Sequence, residues 1–202
     1  MATPRPQPVE LHAHAMDNLR YIRRAMERAG SFTAVPGIGG MLMGSTALAA
    51  AWLASRQADR PAWLGIWMVE ALLAVSIGIA GAAWKARRAR LPLVSGPGKK
   101  FVAGFAPAMF AGALLTAVLF RAHLAQFLPG MWMLLYGTAV VSGGAASVRV
   151  VPLMGGCFMA AGAIVLWWPG AGMPLSGDAL LAAGFGGLHI VFGTIIAVKY
   201  GG

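Results

Sequence analysis

Glu70 and His189 each interrupt a long apolar run, and they are the two side chains of this 202-residue sequence whose chemistry is most exposed by its surroundings. An ionisable group inside hydrocarbon is costly unless it faces other protein or becomes neutral, so each marks a candidate intramembrane polar site. As a coupled pair they would pass a proton or a cation. Alone, His189 could ligate the metal of a haem or a chlorophyll-type pigment. The plainer alternative is a hydrogen-bonded glutamic acid and a neutral histidine satisfied by a backbone carbonyl. Gly186 and Gly193 lie near the histidine's face and clear space beside it, for either a neighbouring helix or a planar ligand.

Other chemistry-bearing residues point to less. His12 and His14 are two apart, a spacing that aims their rings to different sides of a helix, so no metal site is expected there. His123 follows Arg121 in a short polar link and reads as a solvated loop residue. Cys157 is the sole cysteine and lies in an apolar run, so neither a disulfide nor a cysteine metal site can form, and it reads as a small packing residue. Ser95-Gly96-Pro97-Gly98-Lys99-Lys100 lacks the spacing and the hydroxyl residue of a phosphate-binding loop, which rules out nucleotide binding on that motif. No constellation for nucleophilic or metal-assisted hydrolysis is visible, and no catalytic residue or cofactor is assigned.

The elements that must position Glu70 and His189 follow from composition. With 58% hydrophobic residues, 11% charged residues and 28 glycines, the chain has the make-up of a polytopic membrane protein. Six spans of about 20 residues are expected, at 34–54, 63–84, 101–120, 131–148, 151–168 and 179–198. The net charge of +10 lies in the tails and loops between the apolar runs. That distribution points to anionic lipid head groups as partners and not to nucleic acid. Arg23, Arg24, Arg87, Arg88, Lys99, Lys100 and Arg149 are the candidate lipid-phosphate contacts, Arg149 at a helix start where free backbone donors gather.

Residues 1–8 are proline-rich and expected to lack regular structure. No secretory signal is expected, because the first apolar run begins beyond residue 30. Residues 9–30 read as an amphipathic helix at the cytoplasmic membrane surface, with Leu19, Ile22 and Met26 on its apolar face and pairs Asp17–Arg20 and Arg23–Glu27 on the other. Residues 31–202 form the transmembrane domain. With the amino terminus cytoplasmic, thirteen of the sixteen lysines and arginines fall on that side and only Arg56, Arg60 and Arg121 opposite. The positive-inside bias then places both termini in the cytoplasm. Trp52, Trp63, Trp67, Trp132, Trp167 and Trp168 cluster at the other interface, and Trp84 alone at the basic one.

An internal repeat is visible at an offset of 116 residues: Val35-Pro36, Gly39-Gly40, Met43, Ala47 and Trp52 recur as Val151-Pro152, Gly155-Gly156, Met159, Ala163 and Trp168. Weaker matches extend it to three parallel hairpins, with Asp59 and Glu70 echoed by Asp178 and His189. Small-residue pairs at Gly40/Gly44, Ala74/Gly78, Ser142/Ala146 and Ala183/Gly187 are expected to let helices approach closely.

The strings NLRYIRRAMERAGSFTAVPG, SGPGKKF, PGMWMLLYGTAVVSGG and AAGFGGLHIVFGTIIAVKYGG, spread over essentially the whole chain, resemble a family of uncharacterised bacterial multi-span integral membrane proteins. The resemblance implies a bacterial inner-membrane protein and carries no activity, cofactor or site residue with it. Two functional expectations remain. One is a non-enzymatic accessory subunit that packs against a larger membrane assembly and its other subunits. The other is a small transporter or a binder of a lipid, cation or pigment that uses Glu70 and His189.

Overall fold

A computed structural model describes residues 14, 16–22, 26, 34–88, 96–167 and 175–201. Among them all regular structure is helical, as the composition required. Six main helices follow one another: α1 (Gly37–Ala54), α2 (Arg60–Arg88), α3 (Gly96–Arg121), α4 (Leu128–Gly144), α5 (Val150–Trp167) and α6 (Gly177–Tyr200). Their starts are set locally. Pro36 caps α1 in extended conformation and Pro129 occupies the first turn of α4, positions where a missing N–H breaks no helical bond. The start of α6 is instead capped by Ser176, whose hydroxyl oxygen accepts from Ala179 N at 3.2 Å, with Asp178 in the first turn.

Five of these helices are long and apolar enough to cross a membrane, so the chain is a multi-pass membrane protein. The exception among the six expected spans is α4. It has 17 residues, about 25 Å at helical rise, and is preceded by one turn of 3-10 helix, Ala125–Phe127. It is also the helix most enclosed by the others, with ten buried residues from Leu128 to Gly144. At the other extreme α2 runs for 29 residues yet buries only Trp67, Glu70 and Ala86, and α3 buries only Pro97, Gly98 and Thr116. These two are the outer helices.

Glycines decide which helices touch. Gly37, Gly40 and Gly44 of α1 stand against Ala197, Gly193 and Gly186 of α6, running antiparallel, so closely that a Cβ on Gly40 would lie 3.2 Å from the Gly193 Cα. Gly130, Gly137 and Gly144, one every seventh residue, align α4 against Gly162, Gly155 and Val151 of α5. In lipid, where apolar side chains gain little by leaving apolar tails, such backbone approach is a main source of adhesion. The outer helices attach through further glycines: Gly81 of α2 meets Pro36 of α1, and Gly104 of α3 meets Ser142 and Gly143 of α4. The bundle thus comprises two antiparallel sets, α2–α1–α6 and α3–α4–α5. They are joined by a core of Trp67, Met133, Met154, Phe158, Leu181 and Phe192.

This packing does not follow the repeated string. The expected third hairpin would pair α5 with α6, but α5 lies mainly on α4 and α6 mainly on α1. Matched glycines meet different neighbours: Gly40 rests on α6, whereas Gly156, its counterpart, has nothing within 4 Å of a Cβ. Two small-residue pairs also shift. On α4 Ser142 is exposed and its neighbour Gly143 buried, and on α6 Gly184 and Gly186 are buried in place of Ala183 and Gly187. The second shift has a backbone cause. Ala182–Leu188 is a π-helical stretch, and its wider turns rotate the following residues off the face that an ideal α-helix would present.

In the amino-terminal region residues 16–22 are helical, and Arg20 Nη1 meets Asp17 Oδ1 at 3.1 Å, the expected pair. Leu19, Ile22 and Met26 are exposed among the described residues. His12, Arg23, Arg24, Glu27 and the proline-rich residues 1–8 lie outside the described residues.

Candidate functional site

His189 sits at the junction between the π-helical stretch and the last three turns of α6. Its Nε2 lies 2.7 Å from the Tyr136 hydroxyl of α4, so this bond links the two helix sets. Around the imidazole stand Phe158, which is fully buried, and Phe185, whose ring is nearly parallel to the histidine at 20° with centroids 6.1 Å apart. Tyr136 meets Phe105, Phe158 and Phe185 edge-on. An aromatic shell therefore closes on one polar pair.

The placement of the shared hydrogen follows from counting partners. Nδ1 is buried and has no hydrogen-bond partner, the one such side-chain nitrogen or oxygen among the described residues. If Nε2 donated to Tyr136, the hydroxyl hydrogen and the Nδ1 lone pair would both be stranded. If Tyr136 donates to Nε2, a single Nδ1–H is stranded. The second arrangement loses less. The Phe185 carbonyl, one turn back in the π-helical stretch, approaches that N–H without reaching normal bonding geometry. Gly186 and Gly193 do clear space, and the backbone of α1 at Gly44, Gly37 and Met41 occupies it.

Glu70 belongs to a different seam. It is buried between α2 and α1, where Thr46 Oγ1 donates to Oε1 at 2.9 Å, and the same hydroxyl lies 3.0 Å from the Met43 carbonyl. No hydrogen bond joins Glu70 to His189 among the described residues, and no group of three or more histidine, cysteine or acidic side chains there could hold a metal ion. The two residues singled out by sequence are each buried and each hydrogen-bonded to a hydroxyl of its own.

The ends of the bundle carry the remaining polar contacts. At one end Asp178 Oδ1 accepts from both Trp63 Nε1, at 2.7 Å, and Trp67 Nε1, at 3.1 Å. Trp132 stacks on Trp63 with centroids 5.6 Å apart and 7° between planes, and donates its own Nε1–H to Thr116 Oγ1 at 2.8 Å. At the other end Lys85 Nζ donates to the carbonyls of Val35, at 3.0 Å, and Gly201, tying the entrance of α1 to the exit of α6. Arg87, Arg88, Lys99, Lys100 and Arg149 are exposed around it, with Arg88 lying over Trp84 at 4.2 Å. His14 and His123 are exposed, and Cys157 is a half-buried free thiol beside the core.

Sequence reasoning passed over Thr46, Tyr136 and Lys85 as partners, and treated Asp178 only as half of a repeat match. Thr46 and Tyr136 are unremarkable in apolar runs, and their roles depend on helices 24 and 53 residues away in the chain. A signal existed for Asp178: it is the acidic residue that opens an apolar run at the end where tryptophans collect. Compared with protein-family models, curated proteins and solved structures, the chain matches none of them.

Proposed function

We propose that the chain is a non-enzymatic, multi-pass protein of a bacterial inner membrane that serves as an accessory subunit of a larger membrane assembly. The observation that carries this reading is the separation of its intramembrane polar groups. Glu70 is bonded within one helix set and His189 bridges to the other, each with its own hydroxyl partner. A conducting path would need them, or further polar groups, in sequence along one route. The outer faces of α2 and α3 are meanwhile apolar and uncommitted, and Gly65 of α2 leaves a notch with nothing within 4 Å of a Cβ. A partner helix could approach there as α6 approaches α1.

The finer topology in this proposal is six crossings with both termini cytoplasmic, α4 crossing inside the bundle with its 3-10 turn completing the length. Among the described residues Lys85, Arg87, Arg88, Lys99, Lys100, Arg149 and Lys199 gather at one end of the helices and Arg56, Arg60 and Arg121 at the other, the asymmetry expected of a cytoplasmic face. The exposed cations would contact anionic lipid phosphates, and the amino-terminal helix would lay Leu19, Ile22 and Met26 into the same leaflet. The bacterial location is proposed from the sequence resemblance alone.

The test is gentle solubilisation of the tagged protein from its native membrane. A complex of fixed stoichiometry is expected, lost on Gly65→Leu while the isolated chain stays folded. A monodisperse single chain that is indifferent to that substitution refutes the proposal. Reporter fusions after Lys99 and after Gly202 should both read cytoplasmic. A second reading, a small-ligand binder at His189, draws on the stranded Nδ1 beside the π-helical stretch. It requires a visible absorption band from native protein that His189→Leu abolishes.

A further inference from the structure

The Tyr136 phenol donates to His189 Nε2 at 2.7 Å, with the imidazole buried and Phe158 and Phe185 against both rings. A phenol that loses one electron becomes a strong acid. In a low-dielectric interior the charged radical is costly, so oxidation is practicable only if the proton leaves in the same step. A neutral imidazole nitrogen whose lone pair already holds the phenolic hydrogen is the acceptor such a step requires. The positive charge then rests on the imidazole, a far weaker acid than the oxidised phenol. The Phe185 carbonyl lies near its otherwise stranded Nδ1–H and can share that charge.

A route for the electron leads from this pair to the end of the bundle poorest in cations. Trp132 precedes Tyr136 by one turn of α4, the spacing that puts side chains on one face, and both pack against the same core. Trp132 stacks on Trp63 of α2 with centroids 5.6 Å apart and 7° between planes, and Trp67 stands 6.4 Å from it. Indole and phenol rings lose one electron far more readily than the phenylalanines around them, and a stacked indole pair shares the resulting charge. Asp178 Oδ1, on the N–H groups of Trp63 and Trp67 at 2.7 and 3.1 Å, sets negative charge at the ring edges and favours the oxidised form. Trp63 is half-buried in the first turn of α2, so an oxidant at that end meets it before Tyr136.

We propose that Tyr136 is a redox-active tyrosine, with His189 as its proton acceptor and Trp132 and Trp63 as the relay to a one-electron oxidant at the end opposite the basic one. The oxidant takes one electron from Trp63, Tyr136 refills the indole radical cation through Trp132, and the phenolic proton passes to Nε2. The products are the reduced oxidant, neutral indoles, a neutral tyrosyl radical and an imidazolium. A one-electron reductant reverses the step, and the proton returns to the phenolic oxygen. This function is independent of the subunit reading, since it needs only the folded chain in a membrane.

The test uses the full chain in nanodiscs with Tyr21→Phe and Tyr200→Phe, which leaves Tyr136 as its one tyrosine. Flash oxidation by tris(bipyridine)ruthenium and persulfate is followed by electron paramagnetic resonance. A tyrosyl signal is expected, narrowed when the tyrosine ring is deuterated, and it should form more slowly in deuterium oxide because the proton moves with the electron. His189→Gln keeps a hydrogen-bond acceptor for the phenol but no basic nitrogen, and the tyrosyl yield should fall about tenfold or more. Trp132→Phe keeps a ring at the core but one that resists oxidation, and should slow formation of the signal several-fold. Absence of a tyrosyl signal, a rate indifferent to deuterium, an unchanged yield in His189→Gln or an unchanged rate in Trp132→Phe overturns the proposal.

Discussion

The two intramembrane polar pairs solve the same problem at different depths of packing. Tyr136–His189 lies where α4, α5 and α6 converge, sealed by Phe158 and Phe185, and joins the two helix sets. Thr46–Glu70 lies between α1 and an outer helix that buries three of its 29 residues. The Thr46 hydroxyl also has its own helix's carbonyls at Leu42 and Met43 within reach. The lesson is that a hydrogen bond in a membrane is worth what its absence would strand. The inner pair has no substitute partner, whereas the Thr46 hydroxyl of the outer one has two.

Substitutions can sharpen or break that contrast, each followed by reversible unfolding of the protein in lipid. Phe158→Ala removes a fully buried ring that touches both Tyr136 and His189, and should cost about 3–5 kcal/mol through the cavity and the lost contacts. His189→Leu strands the Tyr136 hydroxyl and should cost about 1–3 kcal/mol. Tyr136→Phe should cost a similar amount, and the double variant should cost less than the sum, because the second change removes a group already stranded. Full additivity would mean that the pair is not coupled. Thr46→Val removes the donor to Glu70 and should cost about 0.6 kcal/mol, the average for interhelical hydrogen bonds in a membrane protein. A Thr46 effect as large as that of His189 would erase the distinction between the seams.

A last and smaller effect concerns the basic end. Lys85→Met keeps the apolar stem but withdraws the donor from the Val35 and Gly201 carbonyls. Hydrogen exchange should then rise at the entrance of α1 and the exit of α6, with unfolding of the core unchanged. Equal exchange in the two proteins would show that the ammonium merely rests there.

What was legible beforehand is what neighbours in the chain decide. Apolar run length and proline positions placed six helices within a few residues of their observed limits, and the distribution of lysine, arginine and tryptophan distinguished the two ends. Asp17–Arg20, three residues apart, was readable for the same reason. Glu70 and His189 were visible as polar residues in apolar runs, but not their partners. In a helix apolar all round, periodicity does not say which face meets which neighbour, and the repeated string near Pro36 and Pro152 misled because similar helices can pack on different ones. Only the tertiary structure decided that α5 pairs with α4 and α6 with α1, since that depends on which glycine faces fit together at backbone distance. It likewise decided the π-helical stretch before His189 and the two indoles on Asp178, because both arise where helices far apart in the chain converge.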